Sequence, residues 1–255
     1  HQRIHSGFGQ HITFGGRGPD GDDQSNDLTV LLLEVIEQMN LLEPKPNIRL
    51  HQNISDKVLD KVVDLVAKAQ GSPFLMNFDE ISMQALEWAG LPKEDLWNYA
   101  PVGCLENTLQ GNDRSGTVDV NLNMAKPVEL VMNRGRDARL KLRVGKKTRA
   151  PEDLSTFQEF QEAYFAQLRK LVDTLIEMAS EADAIRAEFE PTPYLSALVK
   201  GCAEKGKDVT AGGPEYNFIT VEGVALATAV DSLAAVKKLV YDEKKISMHK
   251  LGRAL

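Results

Sequence analysis

Short apolar runs of two different periods take turns along the first hundred residues, with few residues between them. From Asn26 or Asp27 to about residue 42, leucine and valine recur at the spacing of one helix face, and either residue is a type that caps a helix start. Asn47-Ile48-Arg49-Leu50-His51 then alternates polar and apolar, as a strand does. Ser55 is set to cap a second helix with an apolar stripe of Val58, Leu59, Val62, Val63, Leu65 and Val66, which Gly71 is placed to close. The run PFLMNF at 73–78 suits a buried parallel strand; 81–89 reads as a helix stopped by Gly90 and Pro92, and 99–105 as a brief strand. Helix and strand alternating over short connections predict a parallel α/β sheet or barrel.

The second half is more helical. Residues 121–133 read as a helix closed by Gly135, with Pro127 in its first turn. A long amphipathic pattern spans 157–189, where Phe157, Phe160, Tyr164 and Leu168 form a core stripe, and Pro191 and Pro193 end it. Further helices are expected over 192–204 and 230–240, with another opening at Ser247, and a strand over 216–221. Cys202, Trp88 and Trp97 are expected to pack. The glycine-rich stretch 7–23 matches no phosphate-binding fingerprint, so it predicts a tight crossing of backbone segments.

A net charge of −7 argues against nucleic acid as a partner, because phosphate binding needs clustered basic surface. The basic residues from Arg134 to Arg149 read as a solvated loop. No run approaches the roughly 18 apolar residues of a membrane span, so no membrane is implied. Two cysteines in 255 residues suggest a reducing, cytoplasmic setting rather than a disulfide framework. No CxxC, no HExxH and no histidine pair at helical spacing marks a metal site.

The chemistry concentrates in Val102-Gly103-Cys104-Leu105-Glu106-Asn107. In an extended segment, Cys104 and Glu106 would face the same space. As a thiolate nucleophile Cys104 would need a histidine or a helix N-terminus nearby. The five histidines are His1, His5, His11, His51 and His249, none of them close in sequence. A carboxylate two residues away would also raise the thiol pKa. Burial as plain packing is the commonest fate of a cysteine. Hydrogen-atom chemistry, with the sulfur as a thiyl radical and the carboxylate as proton acceptor, uses both residues.

The motif VGCLEN resembles the catalytic cysteine and base of the glycyl radical enzymes, in the lyase branch with a G-C-x-E motif. The resemblance extends through GQHITFGG at 9–16, PDG at 19–21, Asn26-Asp27-Leu28, PTPYLSAL at 191–198, GKDVT at 206–210, Gly212-Gly213, Tyr216-Asn217-Phe218 and DSLAA at 231–235. It covers nearly the whole chain in order. It implies an α/β fold, part of a ten-stranded α/β barrel of two antiparallel half-barrels surrounded by helices. Residues 1–255 would form a partial catalytic barrel domain, with the catalytic finger loop at about 101–119. It implies an oxygen-sensitive lyase of anaerobic metabolism, a dehydratase or a carbon–carbon, carbon–nitrogen or carbon–sulfur lyase acting on a small molecule. A protein glycyl radical would oxidise Cys104 to a thiyl, Cys104 would take a substrate hydrogen atom, and Glu106 would act as general base. No bound cofactor is implied. The radical is installed by a separate activating enzyme that uses S-adenosylmethionine and an iron–sulfur cluster. Many members are homodimers.

Gly103 stands where the pyruvate formate-lyase subgroup has a second cysteine, which argues against acetyl transfer. The family's R-V-x-G-Y radical loop is absent from these residues, so the chain reads as the interior of a longer protein lacking the glycyl radical domain. Gly116-Thr117-Val118-Asp119 lines up, with one insertion, on a dehydratase segment whose aspartate binds a substrate hydroxyl; Asp119 is therefore a candidate substrate ligand. Arg114 is a second, suited to clamping a carboxylate or sulfonate, with an ion pair to Asp113 or Asp119 as its structural alternative. Asn112 reads as part of a turn with Gly111 and Gly116. Two other readings stand beside this one: a catalytically incomplete structural or interaction module supplied with a radical in trans, and an ordinary thiol enzyme.

Overall fold

The computed structural model describes residues 11–40, 44–69, 75–102, 105–114 and 118–254. The chain divides into two compact units, one of His1–Thr117, Tyr194–Lys207 and Gly213–Asn217, the other of Val118–Pro193, Asp208–Gly212 and Phe218–Leu255.

In the first unit, β1 (His11–Gly15) is a strand inside the stretch expected only as a backbone crossing; α1 (Asp27–Met39), β2 (Lys45–Leu50), α2 (Asp56–Ala67) and β3 (Leu75–Phe78) then follow one another as expected. The three strands form a parallel sheet in the order β1-β2-β3. Asn26 caps α1 by accepting from the Leu28 and Thr29 N–H groups, as its residue type predicts. Because strand side chains alternate, the sheet has two unlike faces. Phe14, Ile48 and Leu50 pack on Val30, Leu33, Val58, Val62 and Leu65 of the two helices. Thr13, Asn47, Arg49 and Asn77 occupy the other face, in register: Thr13 beside Asn47, and Arg49 beside Asn77. The expected close approach of backbone segments is present at Gly15, whose φ is +68° and where a Cβ would lie 3.0 Å from the Arg49 carbonyl oxygen.

The unit continues with α3 (Asp79–Trp88), α4 (Lys93–Leu96), β4 (Tyr99–Val102) and β5 (Glu106–Leu109). A small core joins Leu91, Leu96, Tyr99 and Leu109 with Met83 and Leu86. Trp88 departs from expectation. It is 77% exposed, since it lies about 200° around the helix from Leu86. Trp97 is likewise not buried. Helix α2 ends at Ala67 with Ala69 in the left-handed region, so its close comes before Gly71, which lies outside the described residues.

The second unit holds β6 (Val120–Asn123), α5 (Lys126–Met132), α6 (Phe157–Phe189) and, after α7 (Pro193–Ser196) and α8 (Cys202–Lys205), the elements β7 (Val221–Val224), α9 (Leu226–Val236) and α10 (Met248–Ala254). The helix expected over 121–133 is shorter than its pattern. Pro127 holds the first turn of α5, and the residues before it pair with β7 in parallel. The 33-residue α6 matches its sequence pattern to the residue, starting at a capping box of Thr156 and Glu159. Phe160 and Tyr164 are buried with Val131, Leu154 and Val236. A π-helical turn, Lys237–Asp242, extends α9. The basic residues of 134–149 are exposed, as a solvated loop predicts.

The helix expected over 192–204 is instead two short ones. Gly201 has φ +93°, and a Cβ there would meet the Glu215 nitrogen and the Gly213 oxygen at 2.9 Å, so the backbone bends at a close approach. Cys202 is buried, as expected. The strand expected over 216–221 begins only at Val221, and Tyr216 makes an isolated bridge with Asp113. Among the described residues, no helix is long and apolar enough to cross a membrane.

Candidate active site

The residues around the C-x-E motif form a hairpin. Strands β4 and β5 run antiparallel, with Tyr99 opposite Leu109, Ala100 opposite Thr108, Pro101 opposite Asn107 and Val102 opposite Glu106. Cys104 belongs to the three-residue connection and lies outside the described residues. On either side of it the turn is defined: the Leu105 N–H donates to the Val102 carbonyl at 3.1 Å, and Leu105 has φ +94°. A left-handed third residue is what three-residue hairpin loops use to restore the pairing. The strand expected over 99–105 thus ends at Val102, and the triplet is not one extended segment. Leu105 stands outside the extended region. Glu106 is half-buried as the first residue of β5.

The hairpin's base is locked by charge. Arg49 from β2 grips Asp79 with two bonds, Nε to Oδ1 at 2.9 Å and Nη2 to Oδ2 at 3.0 Å. Its Nη1 donates to the carbonyls of Trp97 and Tyr99 at 2.9 Å each. The Tyr99 hydroxyl donates to Asp79 at 2.6 Å, and the Arg17 N–H to the same carboxylate at 2.7 Å. The Asp79 side chain is wholly buried and that of Arg49 nearly so. Burial first, and the Asp79 carboxylate second, push the Tyr99 phenol far above its ordinary pKa. The guanidinium also lies 4.1 Å from the Tyr99 ring centroid.

Nearer the turn, the polar face of the parallel sheet meets the hairpin. Thr13 Oγ1 and Asn47 Nδ2 donate to the Pro101 carbonyl at 3.3 and 3.4 Å, and Asn77 Nδ2 donates to Asn107 Oδ1 at 2.8 Å. The strand patterns NIRLH and PFLMNF contain these asparagines, and alternation alone placed Asn47 with Arg49 on one face. What that face would touch depends on a hairpin some fifty residues later.

Arg114 lies past the opposite end of β5. Gly111 takes φ +72° and the Asp113 carboxylate accepts the Leu109 N–H at 2.7 Å, so Asn112 lies in a turn as expected. Arg114 is half-buried, and its backbone N–H donates to the Tyr216 carbonyl at 3.1 Å. Tyr216 in turn donates its hydroxyl to Asp95, and burial together with that carboxylate pushes its pKa up to about 12. Asp119 belongs to the other unit. Its side chain is 6% exposed, accepts the Thr220 N–H at 2.8 Å and has Arg186 at 3.9 Å. Gly116 and Thr117 lie outside the described residues.

A family profile described as pyruvate formate lyase-like matches residues 2–255. The chain belongs to the pyruvate formate lyase-like family of glycyl radical enzymes. Among relatives in this family, the trans-4-hydroxy-L-proline dehydratase of Clostridioides difficile is 33% identical over 96% of this chain and 31% of its own length. The isethionate sulfite-lyase of Desulfovibrio desulfuricans is 32% identical over 96% of this chain and 30% of its own. The solved glycerol-bound form of the B12-independent glycerol dehydratase from Clostridium butyricum superimposes with a TM-score of 0.88 at 34% identity, over 96% of this chain and 31% of that one. The chain thus spans about a third of the length of the family members it matches. Such relatives are dehydratases and lyases, and the mixed α/β fold agrees with theirs.

Proposed function

We propose that this chain contributes the cysteine-bearing part of a glycyl radical lyase that removes water, an amine, sulfite or CO₂ from a small polar molecule. The observation that carries this reading is a Gly-Cys-x-Glu motif whose Glu106 opens the second strand of an anchored hairpin, in a chain matching a dehydratase along 96% of its length. In the whole protein the sheet and hairpin would belong to a ten-stranded barrel, a partial catalytic domain over 1–255. Its wall would keep water and oxygen from the reacting atoms.

A glycyl radical elsewhere in the full-length protein, installed by an S-adenosylmethionine and iron–sulfur activating enzyme, would accept the hydrogen atom of the Cys104 thiol. Cys104 would then take a hydrogen atom from the substrate carbon that bears a hydroxyl. Glu106, as carboxylate, would take that hydroxyl's proton as the neighbouring bond breaks. In a dehydration the proton leaves with the departing hydroxyl as water, and the product radical recovers its hydrogen atom from Cys104. Because the sulfur needs only a neutral S–H, the nearby carboxylate does it no harm. Asp119 and Arg114 are the proposed substrate ligands, Arg114 for a carboxylate or sulfonate. A cytoplasmic homodimer is the proposed state.

In the full-length, anaerobically activated enzyme, Cys104→Ala and Glu106→Gln should each abolish turnover and leave the glycyl radical signal in electron paramagnetic resonance intact. Robust turnover by Glu106→Gln would remove the base from the scheme.

A further inference from the structure

Three side chains from three adjacent strands hold the hairpin at one rung, the Pro101–Asn107 pair next to the Val102–Glu106 pair. Two of them, Thr13 and Asn47, converge on the Pro101 carbonyl, while Asn77 takes the opposite strand through the Asn107 side chain. Asn47 is fully buried and Asn77 is 8% exposed. Each has a buried Oδ1 with no hydrogen-bond partner among the described residues. An unmatched buried acceptor is destabilising, and an apolar residue of the same shape would fill the space without that penalty. Stability alone is therefore a poor account of two asparagines here. Direction is a better one: an amide–amide bond fixes distance and angle where apolar contact does not.

We propose that Asn77, acting through Asn107, is a positioning residue that sets the height and orientation of Glu106. The proposal rests on the lyase reading above. Asn107 follows Glu106 directly, and alternation sends their side chains to opposite faces of β5. Asn107 reaches back to the sheet, so Glu106 is presented on the far side, and a shift of the Asn107 peptide moves the Glu106 carboxylate with it. The bond is the shortest of the three, at 2.8 Å, and the only one of the three that holds the strand carrying the base.

The test uses the full-length activated enzyme. Asn107→Leu keeps the side chain's shape and removes the acceptor; Asn107→Asp keeps an acceptor for the Asn77 Nδ2. Asn107→Leu should lower kcat by about 10- to 100-fold, the scale of a misplacement near 1 Å, with KM changed less than about threefold and the radical content per chain unchanged. Asn107→Asp should keep kcat within about fivefold of the native enzyme. If Asn107→Leu does not fold, Asn77→Ala removes the donor from the other end and is expected to show the same kcat loss. Native kcat in the variant lacking the bond, or an equal loss in Asn107→Asp, would overturn the proposal. Cys104→Ala separates the two levels. If it remains active the lyase reading fails, whereas a dead Cys104→Ala beside a fully active Asn107→Leu overturns only the positioning role.

Discussion

The Arg49–Asp79 pair shows how one residue can fix another far along the chain. Taking both charges out of water is expensive, and the offset comes from geometry: two bonds between them, two backbone carbonyls on the guanidinium, and Tyr99 and Arg17 on the carboxylate. Removing one partner leaves the other buried and uncompensated, which typically costs about 3–5 kcal/mol. Asp79→Leu in the full-length protein should therefore destabilise the first unit on that scale. Hydrogen exchange at Tyr99–Leu109 would report it, with loss of protection concentrated in β4 and β5. Unchanged protection there would show that the hairpin stands without the pair. In the sequence, Arg49 is legible as a strand residue. Asp79, next to the helix pattern that starts at Ile81, looks like nothing more than an acid in a first turn. Their meeting across thirty residues is set by the packing of β4 on the sheet, and no local pattern carries it.

At the scale of elements, local signals served best where capping and periodicity agreed. Helix α6 was legible from Thr156 to Pro191 because a capping box opens it and prolines follow its end. The segment 121–133 was not, since its apolar spacing fits a helix and a strand alike until β7 supplies a partner for β6. The candidate hairpin lies between: its first strand was expected, but β5 and the left-handed Leu105 were hidden, since leucine carries no turn signal. The connection after α5 carries a pH signature. Asp137 accepts the N–H groups of Leu140 and Arg139 at 2.5 and 2.8 Å and pairs with Lys126 at 2.5 Å. The Leu140 bond first, and Lys126 next, lower its pKa from 3.8 to about 2. A folded pKa below the unfolded value means that this carboxylate's contribution is complete above about pH 4 and is lost as the pH falls toward 2. Asp137→Asn should flatten the fall in stability across that window, as read by denaturant unfolding at stepped pH. A fall as steep as that of the native protein would show that the bonds add nothing on folding.

At the scale of the molecule, both units are completed by late sequence. The first takes back Tyr194–Lys207 and Gly213–Asn217, and the second is closed by Phe218–Leu255. The Arg114 N–H is held by the Tyr216 carbonyl, and the Asp119 and Val120 N–H groups by that of Thr220. A chain ending at Glu190 should therefore lose exchange protection at Arg114, Asp119 and Val120 while the β1-β2-β3 sheet keeps its own. Retained protection at all three amides would show that these long-range bonds are dispensable. The tie between Tyr216 and Asp95 spans 121 residues. At the ordinary pace of a ribosome, about 5–20 residues per second, the two ends are made roughly 6 to 24 s apart. Asp95 and helix α4 are thus synthesised early and tied late. For that interval the growing polypeptide carries Asp95 without its partner, and the arrival of Tyr216 decides when this tie can close.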